Sequence, residues 1–150
     1  MLVAVDDFGQ FLTKITAGLG NLGGVIVPQR LDNVPHLFFK KLTNDSIKRI
    51  IYNSYRTVNP AKYFFYTTRE KVYPVADKYP RRIIVGVKAC DLKAIGILDE
   101  ALLKGNFVEP TYSKWRENTI IISSDCDEIT DTCHCSLVGG KPFALLNYDG

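Results

Sequence analysis

Cysteine is the residue type that gives this sequence its distinctive chemistry. Three of the four cysteines, Cys126, Cys133 and Cys135, fall within ten residues, and the fourth, Cys90, lies much earlier in the chain. Thiolates bind zinc and iron–sulfur clusters, and four of them suffice for a tetrahedral zinc ion or a 4Fe–4S cube. In a chain with no secretory signal, such cysteines indicate metal or redox chemistry rather than structural disulfides.

The segments that precede the cysteines predict a strand–helix–strand unit. Residues 82–87 and 119–123 are rich in isoleucine and valine, with apolar residues on both faces, as is typical of strands that are covered on both sides. Between them, apolar residues at spacings of three and four predict a helix over about 92–104, capped by Asp91. A polar loop that contains Pro110 leads to the second strand. This βαβ unit should have parallel strands and a right-handed crossover.

Parallel strands place their ends at one edge of a sheet, so this topology brings the cysteines together. Cys90 lies three residues beyond the first strand, and Cys126 lies three residues beyond the second. Cys133 and Cys135 follow in the next loop. The carboxyl edge is where open α/β folds place their sites. The four thiols, which we call the cysteine site, are therefore predicted to converge at that edge.

The N-terminal half predicts elements that complete the scaffold. Apolar residues on one face predict an amphipathic helix over 4–19. Two short strands, 24–28 and 37–39, could pair as a hairpin, and the first should stop at its proline. A short helix over about 46–55 and an aromatic strand over 63–66 follow. We interpret the aromatic residues of that strand as core rather than as a surface that stacks nucleic-acid bases.

These elements together predict an α/β fold in a single domain, 1–150, with a mainly parallel or mixed sheet. Residues 1–80 form a helix and hairpin part, and 81–150 form the βαβ unit that carries the cysteine site. A length of 150 residues is enough for one hydrophobic core. No apolar run is long enough to span a bilayer, and the N-terminus lacks a signal peptide, so we expect a cytoplasmic protein.

The charge distribution argues against nucleic-acid binding. Residues 1–75 carry 10 basic and 5 acidic side chains, and residues 76–150 carry 9 and 11, so a net charge of +3 conceals a basic first half. The basic residues are scattered singly or in pairs rather than clustered as a phosphate-binding patch. They indicate a solvated surface or, alternatively, a docking face for a more acidic partner protein.

The spacing Cys-x6-Cys-x-Cys with one distant cysteine does not choose among chemistries. It matches neither the paired cysteines of zinc fingers nor the C-x2-C-x2-C-x3-C run of ferredoxins. A structural zinc module that docks partners, and a thiol–disulfide enzyme using Cys133 and Cys135, therefore both remain open. His134 is interpreted as an exposed or supporting residue rather than a ligand. No P-loop, dinucleotide fingerprint or Ser–His–acid set is present in the sequence.

Several segments resemble one protein family. The motifs are Gly86–Asp91 with Ala94, Arg116–Asn118 before an apolar strand, and Cys126 followed by Thr132–Cys135. They are similar to the "GVRxCDxxA", "RRE" and "TCFC" stretches of the iron–sulfur β subunit of cytoplasmic sulfhydrogenase-type NiFe hydrogenases and of its counterpart in anaerobic sulfite reductase. A weaker similarity lies at residues 60–65 together with Glu70. The sequence departs from the family pattern at three positions: Lys88 and Trp115 replace arginines, and His134 replaces an aromatic residue.

The resemblance implies electron relay within a multisubunit oxidoreductase of anaerobic metabolism, beside flavin- and iron–sulfur-containing partner subunits. It implies that Cys90, Cys126, Cys133 and Cys135 hold one 4Fe–4S cluster. The family usually continues into a ferredoxin-like domain with two further clusters, and this chain has no cysteines for it. We therefore expect other chains to complete the relay, and we expect no independent catalysis by this polypeptide.

Overall fold

The structure, a computed structural model, describes residues 5–18, 23–66 and 78–150. Its strands are β1 (Gly24–Arg30), β2 (Leu37–Lys41), β3 (Arg82–Val87) and β4 (Thr119–Ser123). Its α-helices are α1 (Val5–Gly18), α2 (Ala89–Leu103) and α3 (Pro110–Glu117). Short 3-10 helices cover Asn44–Arg49, Ala61–Phe64 and Ser136–Val138.

The four strands form one mixed sheet in the order β2-β1-β3-β4. β1 pairs antiparallel with β2 and parallel with β3, and β3 pairs parallel with β4. Apolar side chains cover both faces. Those on one face pack on α2 and α3, and those on the other pack on α1. All six residues of β3 are buried, which agrees with a central strand covered on both sides.

The main features of the predicted architecture are confirmed. The chain has an α/β fold with a mixed sheet, and β1 and β2 form the expected hairpin. β3, α2 and β4 form the βαβ unit, with β3 and β4 parallel and in register from Arg82 and Thr119 onward. α1 lies within the helix predicted over 4–19. Hydrophobic periodicity sufficed here because each of these elements buries a continuous apolar face.

The first strand does not stop at Pro28 as predicted, because β1 continues to Arg30. Proline is excluded from a central strand by its missing N–H. β1 pairs with β3 only from Gly24 to Ile26, so beyond that point the side of β1 opposite β2 is no longer paired with β3. Pro28 is thus tolerated where β1 and β3 separate.

The helix predicted over 46–55 is wrong beyond its first turns. A 3-10 helix ends at Arg49, and Ile50 then adopts extended backbone and bridges Gln29. The Ile51 N–H donates to the Pro28 carbonyl at 3.1 Å. Ile50 and Ile51 therefore pair with the edge of β1 that faces away from β2. The hydrogen bonds made there replace those that further helical turns would make.

The aromatic strand predicted over 63–66 is also wrong, because Ala61–Phe64 form a 3-10 helix. Only part of this segment belongs to the core. Phe65 is buried beneath the Arg82 guanidinium, 5.4 Å from its ring centroid, whereas Tyr63 and Tyr66 are half-exposed. Pro60 fixes the extended residue before the helix, and its carbonyl accepts from the Tyr63 N–H at 3.1 Å, which starts the 3-10 turn.

Two predictions within the βαβ unit need correction. The helix predicted over 92–104 begins three residues earlier, at Ala89, with Lys88 rather than Asp91 as its N-cap residue. The polar segment around Pro110, predicted as a loop, contains α3. Its signal was present, since Glu109 caps the helix and proline is favoured at the first position. Weak apolar periodicity in this short segment concealed the helix.

Glu70, part of the weaker family resemblance, lies outside the described residues. Among the described helices, none has the length and apolar character needed to cross a membrane. The division of the chain into parts 1–80 and 81–150 stays a prediction.

Candidate metal centre

Cys90 is placed by the junction of β3 and α2. β3 ends at Val87, and α2 begins at Ala89, so Cys90 is the second residue of the helix. The first helical turn presents backbone N–H groups that lack partners within the helix, and this end of the helix favours negative charge. Cys90 is therefore a half-buried thiol at the positive end of a 15-residue helix.

The other three cysteines lie in the loop after β4. The Cys126 N–H donates to the Pro142 carbonyl at 2.9 Å, and the Asp127 N–H donates to the Asn53 carbonyl at 2.7 Å. The Cys133 N–H donates to the Thr130 carbonyl at 2.9 Å in a tight turn. The backbone around Cys126 is thus tied to two other segments, whereas Cys133 is held only by its own loop.

All four thiols line one small cavity, together with Arg56, Thr132 and His134. The cavity holds about 20 Å³, which is room for roughly one water molecule. All four cysteines are free rather than disulfide-bonded. Within the described ranges, no group of three or more His, Cys, Asp or Glu side chains is arranged to hold a single metal ion. The four cysteines, predicted to converge at the carboxyl edge, thus line a common cavity, but their side chains do not converge on a single point.

Deprotonation of the more buried thiols is unfavourable, because burial disfavours the charged thiolate and neighbouring negative charges repel it. Burial, aided by the neighbouring Asp91 carboxylate and the other thiols, raises the pKa of Cys90 to about 11. Burial also raises the pKa of Cys126, and the nearby Lys88 ammonium opposes that rise. Hydrogen bonds from Thr130 lower the pKa of the exposed Cys133. A bound cation or cationic cluster core would relieve the repulsion, because metal binding replaces the protons of the thiols.

Two cationic side chains, Lys88 and Arg56, lie beside the thiols. The family motifs do not identify either of them as functional. Lys88 is buried, and its ammonium donates to the Tyr52 and Asp125 carbonyls and to the Ser124 hydroxyl. Burial lowers its pKa, an effect that the negative charges of Cys126 and nearby carboxylates oppose. Arg56 lines the thiol cavity from the irregular segment after Ile51. No sequence pattern marked Arg56, because tertiary contacts of that segment place it.

The acidic residues of the cysteine loop are exposed, but one of them makes a specific contact. The Glu128 carboxylate accepts a 2.5 Å hydrogen bond from Ser54 Oγ, and Ser54 is buried. Together with the contact between Asp127 and Asn53, this bond fastens the cysteine loop to the segment 51–58. The same contacts hold Arg56 close to the thiols.

His134 is exposed, and its Nδ1 lies 3.3 Å from the Thr132 carbonyl. If Nδ1 donates to that carbonyl, Nε2 is left as an acceptor, but four cysteine thiols already complete the usual ligand set of a 4Fe–4S cluster. We expect His134→Ala to leave the metal content of anaerobically purified protein unchanged, since the four thiols remain. Metal and sulfide analysis of the two proteins checks this expectation, and loss of metal from the variant would make His134 a ligand.

We expect the thiols of the metal-free, reduced protein to differ in reactivity. At pH 8, below the pKa of Cys90, a lower pKa gives a larger thiolate fraction, so iodoacetamide should modify Cys133 at least about tenfold faster than Cys90. The rate at Cys90 should continue to rise up to about pH 11. Peptide mass spectrometry of timed samples measures both rates. Urea-unfolded protein is the control, in which the two rates should converge, and equal rates in the folded protein would contradict the assignment.

Comparison with known proteins finds a significant similarity to a hydrogenase component. The chain is 30% identical over 114 residues to sulfhydrogenase 2 subunit beta of Pyrococcus furiosus, and the match covers 70% of this chain. It covers 33% of the relative, so the chain corresponds to about a third of that protein's length. No protein-family model matches the chain, and no solved structure does. The chain is therefore related, over most of its own length, to part of a hydrogenase β subunit.

Proposed function

We propose that this chain is an electron-transfer subunit or domain that binds one 4Fe–4S cluster through Cys90, Cys126, Cys133 and Cys135. The observation that carries the proposal is the shared cavity: four free thiols, from two strand ends of one sheet, line it together. When bound, such a cluster supplies one-electron redox chemistry. The chain would work within a cytoplasmic, multisubunit oxidoreductase of the hydrogenase or sulfite reductase type, with flavin- and iron–sulfur-containing partner subunits.

The donor set fits this cofactor. Four cysteine thiolates are the usual ligands of a 4Fe–4S cluster, and none of these four cysteines forms a disulfide. A cluster is larger than the 20 Å³ cavity, so the loop would have to widen. Residues 127–139 are all exposed or half-buried, so little packing opposes such a movement.

The arrangement of the thiols favours a cluster over a single zinc ion. Four sulfurs that bind one zinc at about 2.3 Å must lie roughly 3.8 Å apart around one point. In this site no three metal-binding side chains of the described residues converge in that way. A cluster takes each thiolate on a separate iron, so its ligands are spread around a larger volume.

The surrounding residues have roles that follow from their placement. The first turn of α2 would stabilise negative charge at Cys90, and Lys88 and Arg56 would stabilise it from the loop side. Cys133 is the most exposed of the four thiols. We infer that its side of the site faces the partner with which electrons are exchanged. The similarity to part of a sulfhydrogenase subunit supports the proposal that this chain functions within a multisubunit assembly.

Anaerobic purification followed by iron, zinc and acid-labile sulfide analysis tests the proposal. About four irons and four sulfides per chain, with an electron paramagnetic resonance signal after reduction, are expected. One zinc per chain without sulfide would instead indicate a structural zinc module that docks partners. Metal-free protein in which Cys133 and Cys135 cycle between thiol and disulfide would indicate a thiol–disulfide enzyme.

A further inference from the structure

Lys88 is a cation enclosed beside the cysteine site. Its residue is 3% exposed, and its ammonium donates to the Tyr52 carbonyl, to Ser124 Oγ at 2.9 Å and to the Asp125 carbonyl at 2.6 Å. An ammonium has three donors and no acceptor, so these contacts use all of its hydrogen-bonding capacity. None of the three acceptors is charged. Of the ion pairs between described residues, none includes Lys88.

A buried cation that makes no direct ion pair is costly, because it loses its hydration and the nearby Asp125 and Asp127 carboxylates act on it only from a distance. Hydrogen bonds to neutral acceptors recover only part of that loss. The position of Lys88 indicates where compensation would come from. It lies two residues before Cys90, and it holds the carbonyl of the residue that precedes Cys126. Lys88 therefore connects the two backbone segments that carry these cysteines.

We propose that Lys88 supplies a fixed positive charge to the cluster held by the cysteine site and favours its reduced state. This inference rests on the proposed function. Reduction brings one electron and one negative charge to the site, and the electron comes from a one-electron donor, which in the assay is dithionite acting through mediator dyes. Lys88 keeps its proton and forms or breaks no covalent bond. Its attraction is stronger for the more negative form, so it raises the reduction potential.

The test compares Lys88→Gln with Lys88→Arg in redox titrations of the cluster-loaded protein, followed by electron paramagnetic resonance. Lys104→Gln is the matched control, because Lys104 lies exposed just past the far end of α2 and pairs with Glu100. For Lys88→Gln we expect the equilibrium constant for reduction to fall about tenfold, as for loss of a unit charge roughly 10 Å away. This corresponds to about 59 mV for a one-electron couple. The Arg variant and the control should match the wild type.

Unfolding of the metal-free proteins separates the role of the charge from a structural role. In metal-free protein, Lys88→Gln should change stability little. The variant no longer buries a cation, and Ser124 Oγ already donates to the Tyr52 carbonyl at 2.6 Å. A Gln variant that does not fold without metal would make Lys88 a structural link and overturn the inference. A folded Gln variant that holds no cluster, beside an Arg variant that does, would support the need for the charge. If neither folded variant holds one, the inference fails.

The outcomes also distinguish this inference from the proposed function. Absence of iron and sulfide from the wild-type protein would overturn both. Equal potentials in loaded wild-type and Lys88→Gln proteins would overturn the inference alone, because the cluster would then be present and insensitive to the charge.

Discussion

Replacement of Cys90 by alanine is expected to abolish retention of the iron–sulfur cluster while leaving the metal-free fold intact. Changing a residue that merely orients a metal ligand costs about 10–100-fold in affinity, so removal of a ligand should cost at least that much. Iron and sulfide per chain should therefore fall from about four each to well below one. Anaerobic metal and sulfide analysis measures the change, and the absorbance of the cluster provides a second readout.

The chain has no cysteine outside the site, so the matched control is His134→Ala, which alters a neighbour of two ligands without removing a thiol. Metal-free stability is the second control. Cys90 is half-buried, and truncating it should cost only about 1 kcal/mol. Retention of four irons by a folded Cys90→Ala protein would exclude Cys90 as a ligand. The remaining three cysteines would then need a ligand from elsewhere.

Gly86→Ala is expected to destabilise the fold by roughly 2–5 kcal/mol, since it combines backbone strain with a steric clash. Gly86 has φ of +82°, in the left-handed region. A Cβ at this position would lie 2.8 Å from Pro28 Cγ and 2.9 Å from its Cδ. The pyrrolidine ring cannot move aside freely, because Pro28 is paired in the β1–β2 ladder. Chemical denaturation of the metal-free protein measures the effect.

Gly139→Ala is the matched control for Gly86→Ala. Gly139 also has a positive φ, +66°, but a Cβ there would meet no atom within 4 Å. It should therefore cost only the strain of the left-handed conformation, about 1–2 kcal/mol. Equal losses from the two variants would show that the contact with Pro28 contributes nothing.

The sequence predicted those parts of the fold in which one element buries a continuous apolar face. α1, the hairpin, β3 and β4 follow from periodicity, and the parallel pairing of β3 and β4 follows from the helical crossover that connects them. The helix predicted over 46–55, beyond its first turns, and the strand predicted over 63–66 were wrong for a common reason. Their local patterns are compatible with a helix or a strand, but hydrogen bonds to β1 and packing beneath Arg82 determine their backbone.

In the candidate site, too, some features could be predicted from the sequence and others only from the structure. Cys90, Cys126, Cys133 and Cys135 could be named in advance, because cysteine has distinctive chemistry and parallel strands end at one edge. The start of α2 at Ala89, which places Cys90 inside the first helical turn, came only from the structure. Capping signals did not mark that start, because Lys88 offers no side-chain acceptor for the helix.

The sequence by itself was enough to select the four thiols of the candidate site and to predict that they lie at one edge of the sheet, where they line a common cavity. Only the tertiary structure decided their electrostatic surroundings. The Lys88 ammonium reaches the Tyr52 carbonyl, and Arg56 enters the thiol cavity, across more than 30 residues of sequence in each case. Spacing within a helix or strand is set by backbone geometry, which sequence patterns encode. The position of an irregular segment depends instead on hydrogen bonds to distant backbone, which no local pattern encodes.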